Sequence, residues 1–319
     1  MIGNVKNRNG VSGKQTFSDA PFFLRLCFSA LCIACFFVQS CATGFGTHIA
    51  AGTDPAAGTN PAADRSTAEK TETKEFLFPA PSSSQWQNLI PPVYYLRCKN
   101  KRERVRYTLV RIHLADSAIE VDGIPQNCME DGVTDAAYLW RTAAQKGFFA
   151  AVNATPFDYG PLFSGKLKLC GLYIRGGTEL SSARSEYAAL CFDRTKRAYI
   201  ANSQTDDSVK QAYLAFGGFW AILENGKILP FKNIRNARTA VGIGEDGYTL
   251  YLLTVEKNLF SRGLSFEDCA LILKNAGAVD AVQLDGGGST ALIFPDFPAY
   301  SVRAKRKTAN ALGIRYVKR

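Results

Sequence analysis

An acid followed by three glycines, Asp285-Gly286-Gly287-Gly288-Ser289-Thr290, constrains this chain more than any other segment. Each glycine costs backbone entropy on folding, so three in a row persist where the chain needs positive φ or a close approach. The N–H groups of such a turn can cradle an anion, and Ser289 and Thr290 add hydroxyl donors. The competing reading is a tight strand exit that holds no ligand. A nucleotide P-loop is excluded, because the G-K-[ST] ending is missing.

What precedes the glycines places them. Ser265 with Asp268 makes a capping-box pattern, a helix runs to about Ala276, Gly277 stops it, and Val279–Leu284 reads as a buried strand. An earlier segment has the same layout. Thr134 can cap a helix through about Lys146, Gly147 ends it, and a strand at Phe148–Val152 leads to Asn153. The strand, helix, strand order through Thr249–Leu284 predicts a parallel pair with a right-handed crossover. Ligands gather beyond the carboxyl ends of such strands, which is where Asn153 and Asp285 stand. Further strands are expected at Arg104–Leu114, Ala188–Phe192, Ala198–Ala201, Ala240–Gly242 and Thr249–Val255. Gly242-Ile243-Gly244-Glu245-Asp246-Gly247 spells a dinucleotide fingerprint, but an alternating strand follows it where a helix is required, so it reads as a hairpin. The expected fold is α+β: one large domain with a mixed, twisted β core and a few packed helices.

The chemistry available is narrow. His48 and His113 are the only histidines, the first outside the globular part and the second on a strand, which disfavours a Ser-His-Asp triad or a His-rich metal centre. Carboxylates, arginines and amides remain, a set suited to glycosyl transfer. Arg238, in Asn236-Ala237-Arg238-Thr239, sits at a strand entrance where its fork can hold a phosphate or carboxylate, or simply face solvent. Asn153 either bonds a sugar hydroxyl or caps its own turn. The net charge of +10 suits an anionic substrate or a membrane surface, and no nucleic-acid-binding motif accompanies it. Cys98, Cys128, Cys170, Cys191 and Cys269 match no zinc spacing; Cys170 and Cys191 could bridge neighbouring segments, and a buried apolar thiol is the better reading for most.

The first 40 residues read as an export signal. Lys6, Arg8, Lys14 and Arg25 precede an apolar run, Leu26–Val38, too short for a comfortable span, and Val38-Gln39-Ser40-Cys41 follows. Cys41 stands where bacterial lipoproteins carry their lipid. Residues 41–75, rich in Ala, Thr, Gly and Pro, read as a tether, and 76–319 as the globular domain.

From Arg104 to Val317 these pieces, in this order, resemble the phosphodiester glycosidase family. The resemblance rests on Arg238-Thr239-Ala240-Val241-Gly242, the Ser265 helix, the triglycine segment and Ala309-Asn310-Ala311-Leu312. Phe216-Gly217-Gly218-Phe219 before a hairpin at Ala221–Leu229 adds to it. It implies a hydrolase that splits the sugar C1–O bond of a sugar-1-phosphodiester resembling an N-acetylglucosamine-1-phosphodiester. Asn153, Arg238, Asp285, Gly286, Gly287, Gly288, Ser289, Thr290 and Asn310 are then expected around the substrate. Arg238 and the glycine N–H groups would hold phosphate charge, while Asp285 or Glu256 steadies the sugar cation or activates water. Glu256, in Val255-Glu256-Lys257, keeps a carboxylate where the family often has Val-Asp-Gly-Arg. Asn153-Ala154-Thr155-Pro156-Phe157 departs from the family's Asn-Gly-Gly-aromatic. No cofactor is implied, though a divalent cation is compatible with the set. The partners expected are a glycan or sugar-phosphodiester substrate and, through the lipid, a cell-envelope membrane. Two rivals remain: a non-catalytic surface lipoprotein that binds a glycan or anionic polymer, and a metal-assisted phosphodiesterase using Asp285 and Glu256. Labelled palmitate fed to expressing bacteria should enter the wild-type chain and not Cys41→Ala; label retained in the variant rejects lipidation at this residue.

Overall fold

The computed structural model describes residues 78–160 and 164–317. The signal segment, Cys41, His48 and the tether lie outside the described residues. Eight strands form the central sheet, hydrogen-bonded in the order Gln87–Ile90, Val93–Asn100, Val105–His113, Thr249–Val255, Arg238–Ile243, Asp280–Gln283, Ala221–Glu224 and Lys227–Ile228. Every adjacent pair is antiparallel.

Alternation along these strands builds two cores. Leu109, Ala240, Tyr251 and Leu253 face a helix, α2 (Phe266–Ala276), whose Cys269, Ala270 and Leu273 they meet. Val110, Val241, Leu252 and Val282 face the other way, towards Val152, Leu292 and Leu312 of a four-stranded sheet. That sheet runs Leu292–Ile293, Ala150–Asn153, Ala311–Tyr316, Ile119–Ile124, again antiparallel throughout. Strands buried on both sides are the source of the long apolar runs in the sequence, and each fully buried Leu or Val contributes about 1.5–3 kcal/mol.

The architecture is therefore mainly antiparallel β, with two α-helices among the described residues, and the α+β expectation holds only in that looser sense. Thr249–Val255 and Asp280–Gln283 do run parallel, since both are antiparallel to Arg238–Ile243. They are not a neighbouring pair: the Arg238 strand lies between them. The hairpin at Asp246-Gly247 put that strand in the middle before α2 crossed over. Thr134 does not cap a helix. Val133–Asp135 is a strand paired with Lys166–Leu169, and the helix, α1, is confined to Leu139–Gln145. The β-branched pair Val133-Thr134 favours that ladder over a helix start. The strand after Gly147 begins at Ala150; Phe148 lies against Gly313, where an added Cβ would be 2.3 Å from the Phe148 ring.

Asn225-Gly226 closes the hairpin between Ala221–Glu224 and Lys227–Ile228. Gly242 serves packing rather than phosphate binding, since a Cβ there would come within 2.8 Å of the Ala278 methyl. His113 sits edge-on to Tyr94 on its strand. The Cys170–Cys191 bridge is not formed; all five described cysteines are free, with Cys191 and Cys269 buried. Ser265 caps α2 as expected, its hydroxyl accepting from Asp268 N at 3.1 Å while Asp268 accepts from Ser265 N at 3.1 Å, and Gly277 ends the helix at φ 110°. Ser265→Ala should lower stability by about 1 kcal/mol in thermal denaturation; an unchanged Tm would show that the cap adds nothing.

Candidate active site

Strand register lines up the candidate groups. Arg238 pairs with Val255, Ala240 with Gln283, and Ala221 with Val282. Glu256, Arg238, Asp285 and Trp220 thus stand in that order along one edge of the central sheet, each at or just beyond the end of its strand.

At this edge the chain turns sharply. Leu284 N donates to Thr239 O at 2.9 Å and Asp285 N to Ala154 O at 2.9 Å, so at Asp285 the chain leaves the central sheet and bonds next to the end of the Ala150–Asn153 strand of the smaller one. Gly286 then passes so close to the neighbouring strand that a Cβ would lie 2.8 Å from Ala237 O, and Gly287 takes φ 58° to open a 3-10 turn, Gly287–Ser289. The N–H groups of Gly287, Ser289 and Thr290 donate to Ala237 O, Gly286 O and Gly287 O. The open anion nest expected from the sequence is therefore largely closed by the turn's own bonds. What the glycines provide is a thin, half-exposed cover over the acid.

Asp285 is 7% exposed. Burial pushes its carboxyl up to about 6, against the Ser289 hydroxyl, the Arg306 guanidinium and the Gly286 N–H, which all favour the anion. Arg306 stands with one terminal nitrogen 3.5 Å from Asp285 Oδ2, an ion pair longer than a good hydrogen bond, and Oδ2 has no hydrogen-bond partner. The Arg306 Nε donates to Ser289 Oγ at 2.7 Å, and its guanidinium lies 4.7 Å over the Phe157 ring. Sequence reasoning missed Arg306. The signal was present: Arg303-Ala304-Lys305-Arg306-Lys307 is a basic run just ahead of Asn310, and Lys305 N donates to Gly288 O at 2.9 Å.

Asn153 and Asn310 do gather with Asp285, but behind it. Asn153, 1% exposed, donates through Nδ2 to Asp285 O at 2.7 Å, and its Oδ1 accepts from Thr239 Oγ1 and Ala291 N, both at 2.9 Å. Asn310 Oδ1 accepts from Thr155 N at 2.8 Å and its Nδ2 donates to Thr155 Oγ1 at 3.0 Å. Both amides hold backbone in place.

Arg238 and Glu256 are placed differently from expectation. The Arg238 guanidinium donates from Nε to Leu264 O at 3.1 Å and from a terminal nitrogen to Ile234 O, and lies 4.1 Å over the Phe266 ring on the α2 side. Burial lowers its pKa. The guanidinium paired with Asp285 is that of Arg306, because the Asp285 chain crosses to the smaller sheet while Arg238 stays with α2. Glu256 accepts from Arg97 at 2.9 Å and from Asn258 Nδ2 at 2.9 Å, two strand spacings, roughly 10 Å, from the Asp280 strand. Among the described residues no three His, Cys, Asp or Glu side chains gather as metal ligands.

A family model described as phosphodiester glycosidase matches residues 142–315, more than half of the chain. The chain belongs to the phosphodiester glycosidase family. A curated relative, N-acetylglucosamine-1-phosphodiester alpha-N-acetylglucosaminidase of Mus musculus, is 37% identical over 70 residues, which is 22% of this chain and 13% of that protein. The chain thus matches only a small part of that relative's length. A hypothetical protein from Synechocystis shares the fold at TM-score 0.58 and 14% identity, covering 73% of this chain and 63% of the other. So does the catalytic domain of zebrafish N-acetylglucosamine-1-phosphodiester alpha-N-acetylglucosaminidase, solved auto-inhibited by its pro-peptide, at 0.54 and 18%, covering 73% and 86%.

Within this phosphodiester glycosidase domain, the Thr155 hydroxyl accepts from Asn310 Nδ2 at 3.0 Å. The Asp285 environment has a measurable consequence. An acid whose folded value lies above its unfolded one binds its proton more readily when folded. Its contribution is complete below about pH 4 and is lost as pH rises through about 6, at most about 3 kcal/mol. Asp285→Asn should therefore gain stability relative to wild type as pH rises from about 4 to 7. A difference in Tm that stays flat over this range contradicts the burial argument.

Proposed function

We propose that the domain hydrolyses the C1–O bond of a sugar-1-phosphodiester, with Asp285 as the group that activates water or steadies the cationic sugar. The observation that carries this is one buried carboxyl, raised to about 6 and faced by a single guanidinium beneath a cover of glycine. A base poised near neutrality suits water activation, and phosphate leaves readily enough to need little help from an acid. Arg306 takes the phosphate-holding role expected of Arg238: it is part-exposed, it neighbours the carboxylate, and its long ion pair leaves room to swing a donor towards an anion. Glu256, held by Arg97 and Asn258, borders the same edge and lends charge and shape rather than proton transfer. N-acetylglucosamine as the sugar follows the named relatives. Lipid at Cys41 would hold the domain at the cell envelope, close to surface glycans.

A second reading, a glycan receptor without turnover, is favoured because the three polar side chains are already committed to protein partners: Asn310 and Thr155 bond each other, and Asn153 bonds Asp285 O. The deciding measurement is release of free sugar, separated from sugar phosphate, across a panel of sugar-1-phosphodiesters. Wild type should release free sugar with kcat/KM falling below pH about 6. Asp285→Asn should lose about 100-fold or more in kcat. Folded wild type that binds such a diester and releases nothing supports the receptor instead.

A further inference from the structure

Next to Asp285 on the sheet edge the surface is aromatic. Gln283 N donates to Trp220 O at 3.0 Å and Phe219 N to Gln283 O at 2.8 Å, which fixes Trp220 one strand away from the acid. Trp220 is 41% exposed. Its ring lies 5.5 Å from Phe219, nearly parallel, 6.1 Å from Phe231 and 5.8 Å from Phe266. Phe231 meets Phe266 edge-on at 5.2 Å, and the Arg238 guanidinium covers Phe266. On the other flank, a Cβ on Gly286 would come within 3.6 Å of Arg238 Cα. The aromatic row and the glycine cover of the acid are therefore continuous.

We propose that Trp220, supported by Phe219, Phe231 and Phe266, is a saccharide subsite, and that the substrate is a glycan of several sugars rather than a single sugar with a small substituent. This rests on the reading of Asp285 as the hydrolytic centre. Sugar rings present apolar C–H faces that stack on an aromatic plane, with hydroxyls at the rim for polar neighbours. Polar neighbours border the row: Lys232 and Asn233 are exposed beside Phe231, and Phe231 N is held by Glu267 at 3.1 Å. These rings, bordered by charge and one strand away from the buried carboxylate, offer the apolar planes on which a sugar chain stacks. In this arrangement Arg238 is a positioning residue, tying Phe266 to the strand end through its bonds to Ile234 O and Leu264 O.

The test is binding without turnover, by calorimetry on the full chain, with chitopentaose and free N-acetylglucosamine as the two probes. The pentasaccharide should bind about tenfold more tightly than the monosaccharide, the effect of about 1.4 kcal/mol of stacking. Trp220→Ala should lose most of that advantage while remaining folded by circular dichroism, and Trp220→Phe should recover much of it. Tryptophan fluorescence should shift on pentasaccharide binding in wild type and not in Trp220→Ala. Equal affinity for the two probes, or full pentasaccharide affinity in folded Trp220→Ala, overturns the subsite. Hydrolysis of a monosaccharide phosphodiester with no pentasaccharide binding removes the subsite alone; binding intact with no hydrolysis of any diester removes the catalytic reading alone.

Discussion

The side-chain amide of Asn153 holds two sheets in register, and the geometry around Asp285 depends on it. One nitrogen and one oxygen reach the Asp285 carbonyl, the Thr239 hydroxyl and the Ala291 amide, groups from three separate segments. All of it is buried, where an unmade bond costs about 1–3 kcal/mol. An apolar side chain would leave three partners unsatisfied at once, and an aspartate would offer Asp285 O no donor. The site's rigidity is thus set by an uncharged amide behind the acid, and the acid itself is free of structural duty.

That separation explains how Asp285 keeps an unusual protonation behaviour. Its backbone is fixed by Ala154 O and by Asn153, so the carboxyl needs no strong partner to stay in place. Its one guanidinium stands at 3.5 Å and shares its other donor with Ser289. Burial wins over these weak attractions, and the value goes up rather than down. A shorter, bidentate pair would reverse the sign. Glycine at 286 belongs to the same balance: Ala237 O leaves no space for a Cβ, so the strand can approach closely without a side chain shielding the acid.

Much of this was legible in the sequence where the signal was local. The α2 cap, its Gly277 stop, the Asp246-Gly247 and Asn225-Gly226 hairpins and the strand at Thr249–Val255 depend on neighbours along the chain, and local rules suffice for them. Asp285 and its glycines stood out for the same reason. Thr134 failed because a strand partner 33 residues away, Leu167 in Lys166–Leu169, outweighed its capping preference. Arg238 is the more instructive case. Its position beside the acid follows from the ladder, but the direction of a long side chain is decided by what lies on each face, and the Phe266 ring with the carbonyls of Leu264 and Ile234 drew it to the α2 side. Arg306 is the converse: it is distant in sequence, unremarkable within a basic run, and brought to Asp285 by the bond from Lys305 N to Gly288 O.

The two arginines together suggest why the chain crosses between sheets at this point. Arg238 occupies the α2 side of the edge and organises aromatic rings; Arg306 occupies the side of the smaller sheet and attends the carboxylate. Had the Asp280 strand simply continued, Asp285 would have paired beside Arg238, and a close guanidinium would have held its carboxyl low and ionised. The bond from Asp285 N to Ala154 O prevents this by pulling the residue out of the ladder. The crossing therefore leaves the aromatic rings on the α2 side and the Asp285–Arg306 pair on the side of the smaller sheet.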